Sequence, residues 1–578
     1  MMLLVLPSSL RVPQSPPMET LEFAPVPATH DQPPLATGPS SLGLGSSTTT
    51  RGDGGGGSAS DPGLPPPPPP PGEAARPVTK RCVGAPPRQT EDPLSPPCVA
   101  HFEGDNGGAV ATGVTASEVR VVFYFDGSDY FQVGSSRRYE APPNGSINDL
   151  AEPETEDDFV FDRVLRRYMR YFNERYQTYG RSVRFLTMYS SGDSEDATSP
   201  ESRRGDAVRL LTEVQPFAVV SYAAQNNRAL IEVLADGGAL VIAGNADIAP
   251  GLGERDAFFR RYPGSIWSYA PSIEARAQMF VTYVCRKVVP HPVSFSGNGD
   301  AGEVRVLGLL RIDPESQLPA HEYYADLIHQ GVEDCGGRVT ETGIHGFGCY
   351  LQAPSCMSSG ALENMARFQD AGVTTILWAG QYDTGQSQAA ATLDYRPEWL
   401  VAGDETGEIN LIGQMSEQSV WQHARNTTTF PAVASVESRQ CVQAIREADP
   451  STPLIDAKNY ACAFYKEVRQ LFTGVQVSGP ELTITNFDKG FHAIPASPSH
   501  DPTVPACFYR PGDYTCVKDA QAQWWDPEGT DPNTGADGCW RMMEAGRPYL
   551  IGAWPEGDVE AQRDPADDPC NLQGAALT

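Results

Sequence analysis

The sequence predicts an α/β protein of two doubly wound, parallel-sheet lobes behind a Pro/Gly-rich arm, and three observations carry that prediction. Two stretches, Arg184 to Asp247 and Val304 to Glu405, repeat one order of short apolar strand, acidic or Gly-rich loop, amphipathic helix and short apolar strand. Their strands are continuously apolar, as strands covered by helices on both faces are. The first hundred residues lack this pattern and are dominated by Pro, Gly and Ser, with the run Pro65 to Pro71 and the tract Gly54 to Gly57, which predicts a disordered or polyproline-like segment. A chain of 578 residues exceeds what one core organises, so two or three domains are expected.

The elements follow in order. VRVVFYF, within Gly113 to Gly127, is a strand ending in a Gly-containing loop. From Phe159 to Tyr179 the spacing places Val160, Val164, Leu165, Tyr168, Tyr171 and Phe172 on one helical face, with Gly180 stopping the helix. The first-stretch strands are Val183 to Tyr189, Phe217 to Tyr222 and Ala239 to Gly244, with helices near Ser202 to Glu213 and Asn227 to Ala235. The second-stretch strands are Val304 to Arg311, Thr374 to Gly380 and Glu398 to Gly403. Ligands in such sheets sit outside the carboxyl ends of the strands, so two lobes imply a cleft that clamps something.

Charge and cysteines narrow the function. A formal charge of −30 argues against nucleic acid or an anionic membrane surface, both of which need a basic face. The twelve cysteines show no C-x-x-C, so a zinc site is not indicated. Several lie close together in loop-like sequence, Cys82 with Cys98, Cys349 with Cys356 and Cys507 with Cys516, which fits disulfides in an oxidising compartment. Pairing cannot be read from the sequence, above all for Cys285, Cys335, Cys441, Cys462, Cys539 and Cys570. The amino terminus offers only about six apolar residues before a proline, less than a secretory signal needs, so an export signal upstream of the assigned start is expected. No segment reaches the roughly 18 apolar residues of a membrane span.

GVTASEVRV, the helix ending NERYQTYG, and then FAVVSY and ALVIAGNAD resemble the amino lobe of type I periplasmic solute-binding proteins, the leucine/isoleucine/valine-binding group. RVLGLLRIDPESQLPAHEYYADLIHQGVEDCGGRV, FQDAGVTTILWAGQYDTGQSQAAATLD and EWLVAGDETG resemble its carboxyl lobe. The resemblance covers about Gly113 to Thr485 and rests on order and spacing. It implies a three-strand hinge, with crossings near Val289 to Glu303, Phe430 to Ser438 and Thr483, and a returning helix over Asp456 to Phe472. The implied boundaries are an arm over 1–110, a first lobe of 111–297 plus 432–483, a second lobe of 298–431 plus 484–555 with a Cys/Trp-containing tail, and a flexible carboxyl terminus over 556–578.

The family meets an amino acid's carboxylate with first-lobe hydroxyls and main-chain groups, then closes with an aromatic and an acidic residue of the second lobe. A zwitterion taken out of water needs both charges met. The positions that correspond here are Tyr222 and Asn226 after the FAVVSY strand, Asn245 and Asp247 after ALVIAG, Gln317 where an aromatic is usual, Tyr382 as the closing aromatic and Asp404, or Glu405 one residue on, as the ammonium partner. Asn226 is equally well a helix N-cap and Asp247 a surface turn residue. The hydroxyls of the first lobe are largely replaced, which points away from branched-chain amino acids and toward a small polar ligand that is amino-acid-like, an amide or related.

The Asp531 to Gly538 stretch alternates oxygen-bearing residues as a calcium loop does, without the distal bidentate Glu, and fits a disulfide-linked surface loop better. No nucleophile elbow, P-loop or H-E-x-x-H is present, and His321 and His329 fit a helix surface. No enzyme and no cofactor are therefore expected. The expected protein is a monomeric, extracellular or cell-surface solute-binding protein serving an ABC-type importer through its permease; the alternative is a sensory or structural surface protein that keeps the fold. Asn144-Gly145-Ser146 and Asn426-Thr427-Thr428 fit the glycosylation triplet.

Overall fold

The computed structural model describes residues 82–571 apart from 126–141, 156–157, 193–198, 223–226, 244–258, 260, 313–318, 346–359, 381–382, 403–407, 433–434, 436, 453–461, 463, 497–500 and 533. The first sheet begins with β1 (Glu118–Phe125) and β2 (Ile147–Asp149), followed by α1 (Val160–Arg175). Then come β3 (Ser182–Tyr189), α2 (Pro200–Arg209), β4 (Ala218–Tyr222), α3 (Asn227–Asp236), β5 (Leu240–Ala243) and β6 (Ile266–Ser268). Its strand order is β2-β3-β1-β4-β5-β6, parallel throughout except for β2.

The second lobe opens with α4 (Ile273–Lys287), β7 (Leu307–Ile312), α5 (Pro319–Asp334) and β8 (Val339–His345). It continues with α6 (Ala361–Asp370), β9 (Thr375–Ala379), α7 (Gly385–Thr392) and β10 (Glu398–Val401). α8 (Asn410–Met415), α9 (Gln418–Trp421) and β11 (Ala424–Thr428) close its parallel part. The chain then forms α10 (Gln440–Ala448), α11 (Tyr465–Val477) and α12 (Ile484–His492) before β12 (Asp519–Thr530), β13 (Asp537–Met542) and β14 (Tyr549–Leu550). The second sheet runs β13-β12-β11-β10-β9-β7-β8, with β14 on β12. Leaving aside the antiparallel additions, each sheet has the doubly wound order in which the first strand lies between the second and the third. That order places a switch point between β1 and β4 in one lobe and between β7 and β9 in the other.

Burial follows the sequence pattern. The predicted face of α1, Val160, Val164, Leu165, Tyr168, Tyr171 and Phe172, is buried. The helix ends at Arg175 rather than at Tyr179, and Tyr179 and Gly180 take φ of 56° and 82° in the turn that follows. Gly113 turns the chain into β1 at φ +71°, where a Cβ would meet the Phe217 nitrogen at 2.1 Å.

Several expected boundaries differ. Residues 82–110 belong to the folded unit: Cys82 is bonded to Cys98, and Asp92 pairs with Arg469 at 2.7 Å with both groups buried. The disulfide closes the segment on itself and polar contacts fasten it to the first lobe, Asp92 to Arg469 and the Pro97 carbonyl to the Gln476 amide at 3.0 Å, so it carries no apolar periodicity to announce it. α4 packs its apolar face into the second core, through Ile273, Phe280, Tyr283 and Val284, so the first crossing lies at 269–272 and not at 289–303. Phe487, Phe491, Tyr509 and Tyr514 pack into the first core around Trp267, which moves the third crossing from Thr483 to 517–518. The second crossing lies between β11, which ends at Thr428, and α10, which begins at Gln440 and packs into the first core. The carboxyl-terminal segment is anchored as far as residue 571. Trp554 donates to the Met279 carbonyl at 3.0 Å, Trp524 to Asp568 at 2.9 Å, Val559 is fully buried and Cys570 is bonded to Cys539.

The first and third crossings run side by side: Cys516 N–H donates to the Ser268 carbonyl at 3.0 Å and Val517 N–H to that of Tyr269 at 3.1 Å. The segment near Pro502 braces the hinge, accepting from Ala432 N–H at 2.8 Å. The remaining described disulfides are Cys285–Cys335, which joins α4 to the end of α5, Cys441–Cys462 and Cys507–Cys516. Cys349 and Cys356 lie outside the described residues.

Candidate functional site

Both sheets turn their carboxyl ends toward the hinge, because the first crossing leaves from the end of β6 and the second from the end of β11. The carboxyl edge of the first sheet is built from β1, β3 and β4, which end on Phe125, Tyr189 and Tyr222. These three rings stack: Phe125 lies 5.5 Å from Tyr189 and 5.4 Å from Tyr222, at interplanar angles of 26° and 15°. Phe161 and Phe464 close the group from α1 and the start of α11. Behind the rings stand two buried carboxylates. Tyr189 donates to Asp162 at 2.8 Å, which also accepts from Asn148 at 2.9 Å, and Tyr222 donates to Glu467 at 2.8 Å. Burial pushes both phenols well above their ordinary range, and the carboxylate each faces adds to the rise. Burial also raises the Asp162 carboxyl, against the hydrogen bonds it accepts.

On the opposite face of β1, Tyr124 donates to Asp206 at 2.6 Å and accepts from Arg203 at 2.8 Å. Asp206 also takes the Ser191 N–H at 3.1 Å, at the carboxyl end of β3. Arg203 is fully buried and Asp206 nearly so, so the charges of α2 are compensated under the rim. Burial raises the Tyr124 phenol; Arg203 opposes this and Asp206 adds to it.

The second-lobe rim is polar and buried. Asp383, Thr384, Gln386 and Ser387 open α7 without solvent exposure, and Asp383 accepts the Gly385 N–H at 2.8 Å. Asn364 donates to the Ile344 carbonyl at 2.7 Å beside His345, whose ring meets Trp378 edge-on at 5.3 Å.

Of the expected site residues, the structure places Tyr222, half-buried, with its hydroxyl given to Glu467. Asn226, Asn245, Asp247, Gln317, Tyr382, Asp404 and Glu405 lie outside the described residues. In sequence they come soon after the carboxyl ends of β4, β5, β7, β9 and β10. Sequence reasoning missed Asp162, Arg203, Asp206 and Glu467, since helix charges read as solvated until a partner strand is known.

Other features have plain structural roles. A groove lined by Arg120, Ile147, Arg184, Leu186, Glu213 and Val214 crosses the outer face of β1–β3, but Arg184 is taken by Asp149 and Glu118, and Arg120 donates to the Val214 carbonyl. Among the described residues no group of three His, Cys, Asp or Glu is placed to hold a metal. In the Asp531 to Gly538 loop, Asp531 accepts from Gln414 and from the Thr534 N–H. Trp524 and Trp525 lie on opposite faces of β12, one in each core of the second lobe. Asn426 is fully buried, so its triplet is closed to glycosylation in the folded chain, whereas Asn144 is exposed. Among the described residues no helix is long and apolar enough to cross a membrane.

No family model matches the sequence, and no curated protein matches it. Solved structures do match. A solute-binding protein of an ABC transporter from R. palustris, in complex with 4-hydroxybenzoate, is 11% identical, with 73% of this chain and 97% of that chain covered and a TM-score of 0.45. A putative branched-chain amino acid ABC transporter from Silicibacter pomeroyi is 14% identical, with coverage of 80% and 99% and a TM-score of 0.46. A periplasmic binding protein type 1 from Bordetella pertussis Tohama I is 11% identical, with coverage of 74% and 99% and a TM-score of 0.46. The matched structures are thus a solute-binding protein of an ABC transporter, a branched-chain amino acid ABC transporter and a periplasmic binding protein type 1, each with a TM-score below 0.5.

Proposed function

We propose that this protein is a solute-binding protein that captures a small polar ligand, amino-acid-like, an amide or related, between its lobes for an ABC-type importer. The observation that carries this reading is the placement of both switch points, β1/β4 and β7/β9, at carboxyl edges that adjoin a three-chain hinge. Three chains at a hinge permit closure while limiting twist. Tyr222, half-buried at the first-lobe rim with its hydroxyl held by Glu467, offers an aromatic surface that favours a ligand with a cationic or amide face. Asn226, Asn245, Asp247, Gln317 and Tyr382 complete the contacts, and Asp404 pairs with the ligand's positive end. Five disulfides among the described cysteines fit an extracellular or cell-surface monomer.

Native mass spectrometry of protein purified from its own host tests the reading, since a carried ligand appears directly as added mass. The ligand should raise the melting temperature and compact the protein in solution scattering, and Asp404→Asn should weaken a cationic ligand by about 1.5 kcal/mol or more. The alternative, a sensory or structural surface protein, is favoured by the complete burial of Phe125 and Tyr189 at the rim. A protein that carries nothing and binds no member of a panel of amino acids, amides and sugars supports that alternative.

A further inference from the structure

Near the hinge, one face of the second sheet changes character. The face carrying Trp399, Ala424, Trp525 and Trp540 is apolar, but toward the carboxyl end of β11 it becomes polar. Asn426 lies opposite Gln523, and Thr428 opposite Gln521, so all four side chains stand on this face. Asp519, two residues before Gln521, continues the strip. Asn426, Thr428 and Gln523 have no solvent exposure, and Gln521 and Asp519 have 4% each. Glu408, also buried, accepts the Thr428 hydroxyl.

Buried polar groups normally find partners, because an unpaired one loses its water without compensation. Here both amide atoms of Asn426, and Oε1 of Gln521 and Gln523, make no hydrogen bond to protein. The Gln521 amide nitrogen donates to the Pro502 carbonyl and that of Gln523 to the Met542 sulfur, each at 2.8 Å, which leaves their oxygens turned inward. Asp519 accepts the Ala506 N–H at 3.0 Å, and no cationic side chain faces it among the described residues. Three amide oxygens of the strip, on Asn426, Gln521 and Gln523, therefore lie buried with no protein donor. The crevice beside Thr428, Gln521 and Asp519 is too narrow for a water molecule, which favours a bare ion over a hydrated or organic one.

We propose that Glu408, Asn426, Thr428, Gln521 and Gln523 form a site for a small hard cation, Ca²⁺ or Na⁺, that takes oxygen ligands. Thr428 ends the strand that leads into the second crossing, and Gln521, opposite it, follows the third. An ion held between them ties two hinge chains together and stiffens the lobe-to-lobe connection. The site is separate from the cleft, and its proof does not depend on what the cleft binds.

The full-length protein, stripped with chelator and exchanged into tetramethylammonium buffer, is titrated with CaCl₂ and with NaCl at constant ionic strength while its melting temperature is followed. A saturable rise of about 3 °C or more is expected; a response to Ca²⁺ alone assigns the divalent ion, a response to Na⁺ alone the monovalent one, and both support the site. In Asn426→Leu the rise should vanish. Should that variant fail to fold, Tb³⁺ added to the unaltered protein should luminesce on tryptophan excitation, through Trp525 and Trp540 on the same face, and lose that signal to whichever ion raised the melting temperature. No saturable rise with either ion, or an equal rise in Asn426→Leu, overturns the proposal.

Discussion

The Tyr222 hydroxyl donates to the Glu467 carboxylate at 2.8 Å, joining the end of β4 to the first turn of α11 across the rim of the first lobe. The Glu467 side chain is 1% exposed, so removal of the donor leaves a desolvated carboxylate with less compensation. Tyr222→Phe should lower stability by about 1–3 kcal/mol, read by urea denaturation. Because the ring remains, a ligand that packs on Tyr222 should keep its affinity within a few fold. A large loss of affinity with no loss of stability would instead make the hydroxyl a ligand contact.

Arg305 and Glu398 pair at 2.7 Å with side chains 2% and 0% exposed. Glu398 also accepts the N–H groups of Ser294 and Phe295 and the Thr375 hydroxyl, so one carboxylate gathers the amino ends of β9 and β10. Glu398→Ala strands the guanidinium and should cost about 3–5 kcal/mol. An equilibrium denaturation curve within 1 kcal/mol of the unaltered protein would contradict this.

Burial raises the Asp519 carboxyl to about 6, from 3.8 in the unfolded chain. Folding then favours the protonated form, so the stabilisation is fully present below about pH 4 and is lost as pH rises through about 6. The loss is on the order of 3 kcal/mol. In tetramethylammonium buffer, Asp519→Asn should flatten this part of the stability profile between pH 4 and 7. An unchanged slope would show that another group titrates there.

Cys285–Cys335 closes a stretch of 50 residues that contains β7 and α5. Replacing both cysteines by serine should cost about 2–5 kcal/mol. The effect should appear first as faster proteolysis of the second lobe. Equal denaturation midpoints for the two proteins would argue that the bridge constrains little.

Much of the fold was legible. The strands around Val121, Phe185, Val219, Ile242, Leu309, Leu377 and Leu400 are apolar runs bounded by turns, and such runs are buried whatever their neighbours. The buried face of α1 was set by spacing alone. The crossings were less legible, because α4 is amphipathic and would suit either core; only contact with Tyr324 and Trp554 assigns it to the second. Residues 82–98 and 556–571 are held by single ion pairs, indole hydrogen bonds and disulfides, which leave no periodic trace.

The amino-acid sequence by itself determined two parallel sheets and their covering helices, because each follows from local spacing and burial. Tertiary structure alone decided which lobe owns α4 and α12, how the described cysteines pair, and where polar side chains meet. Asp206 with Tyr124, Glu467 with Tyr222, and Asn426 with Gln523 lie 82, 245 and 97 positions apart. Hydrogen bonds and sheet register are satisfied by whatever the fold brings near, and that proximity is a property of the folded chain rather than of any segment of it.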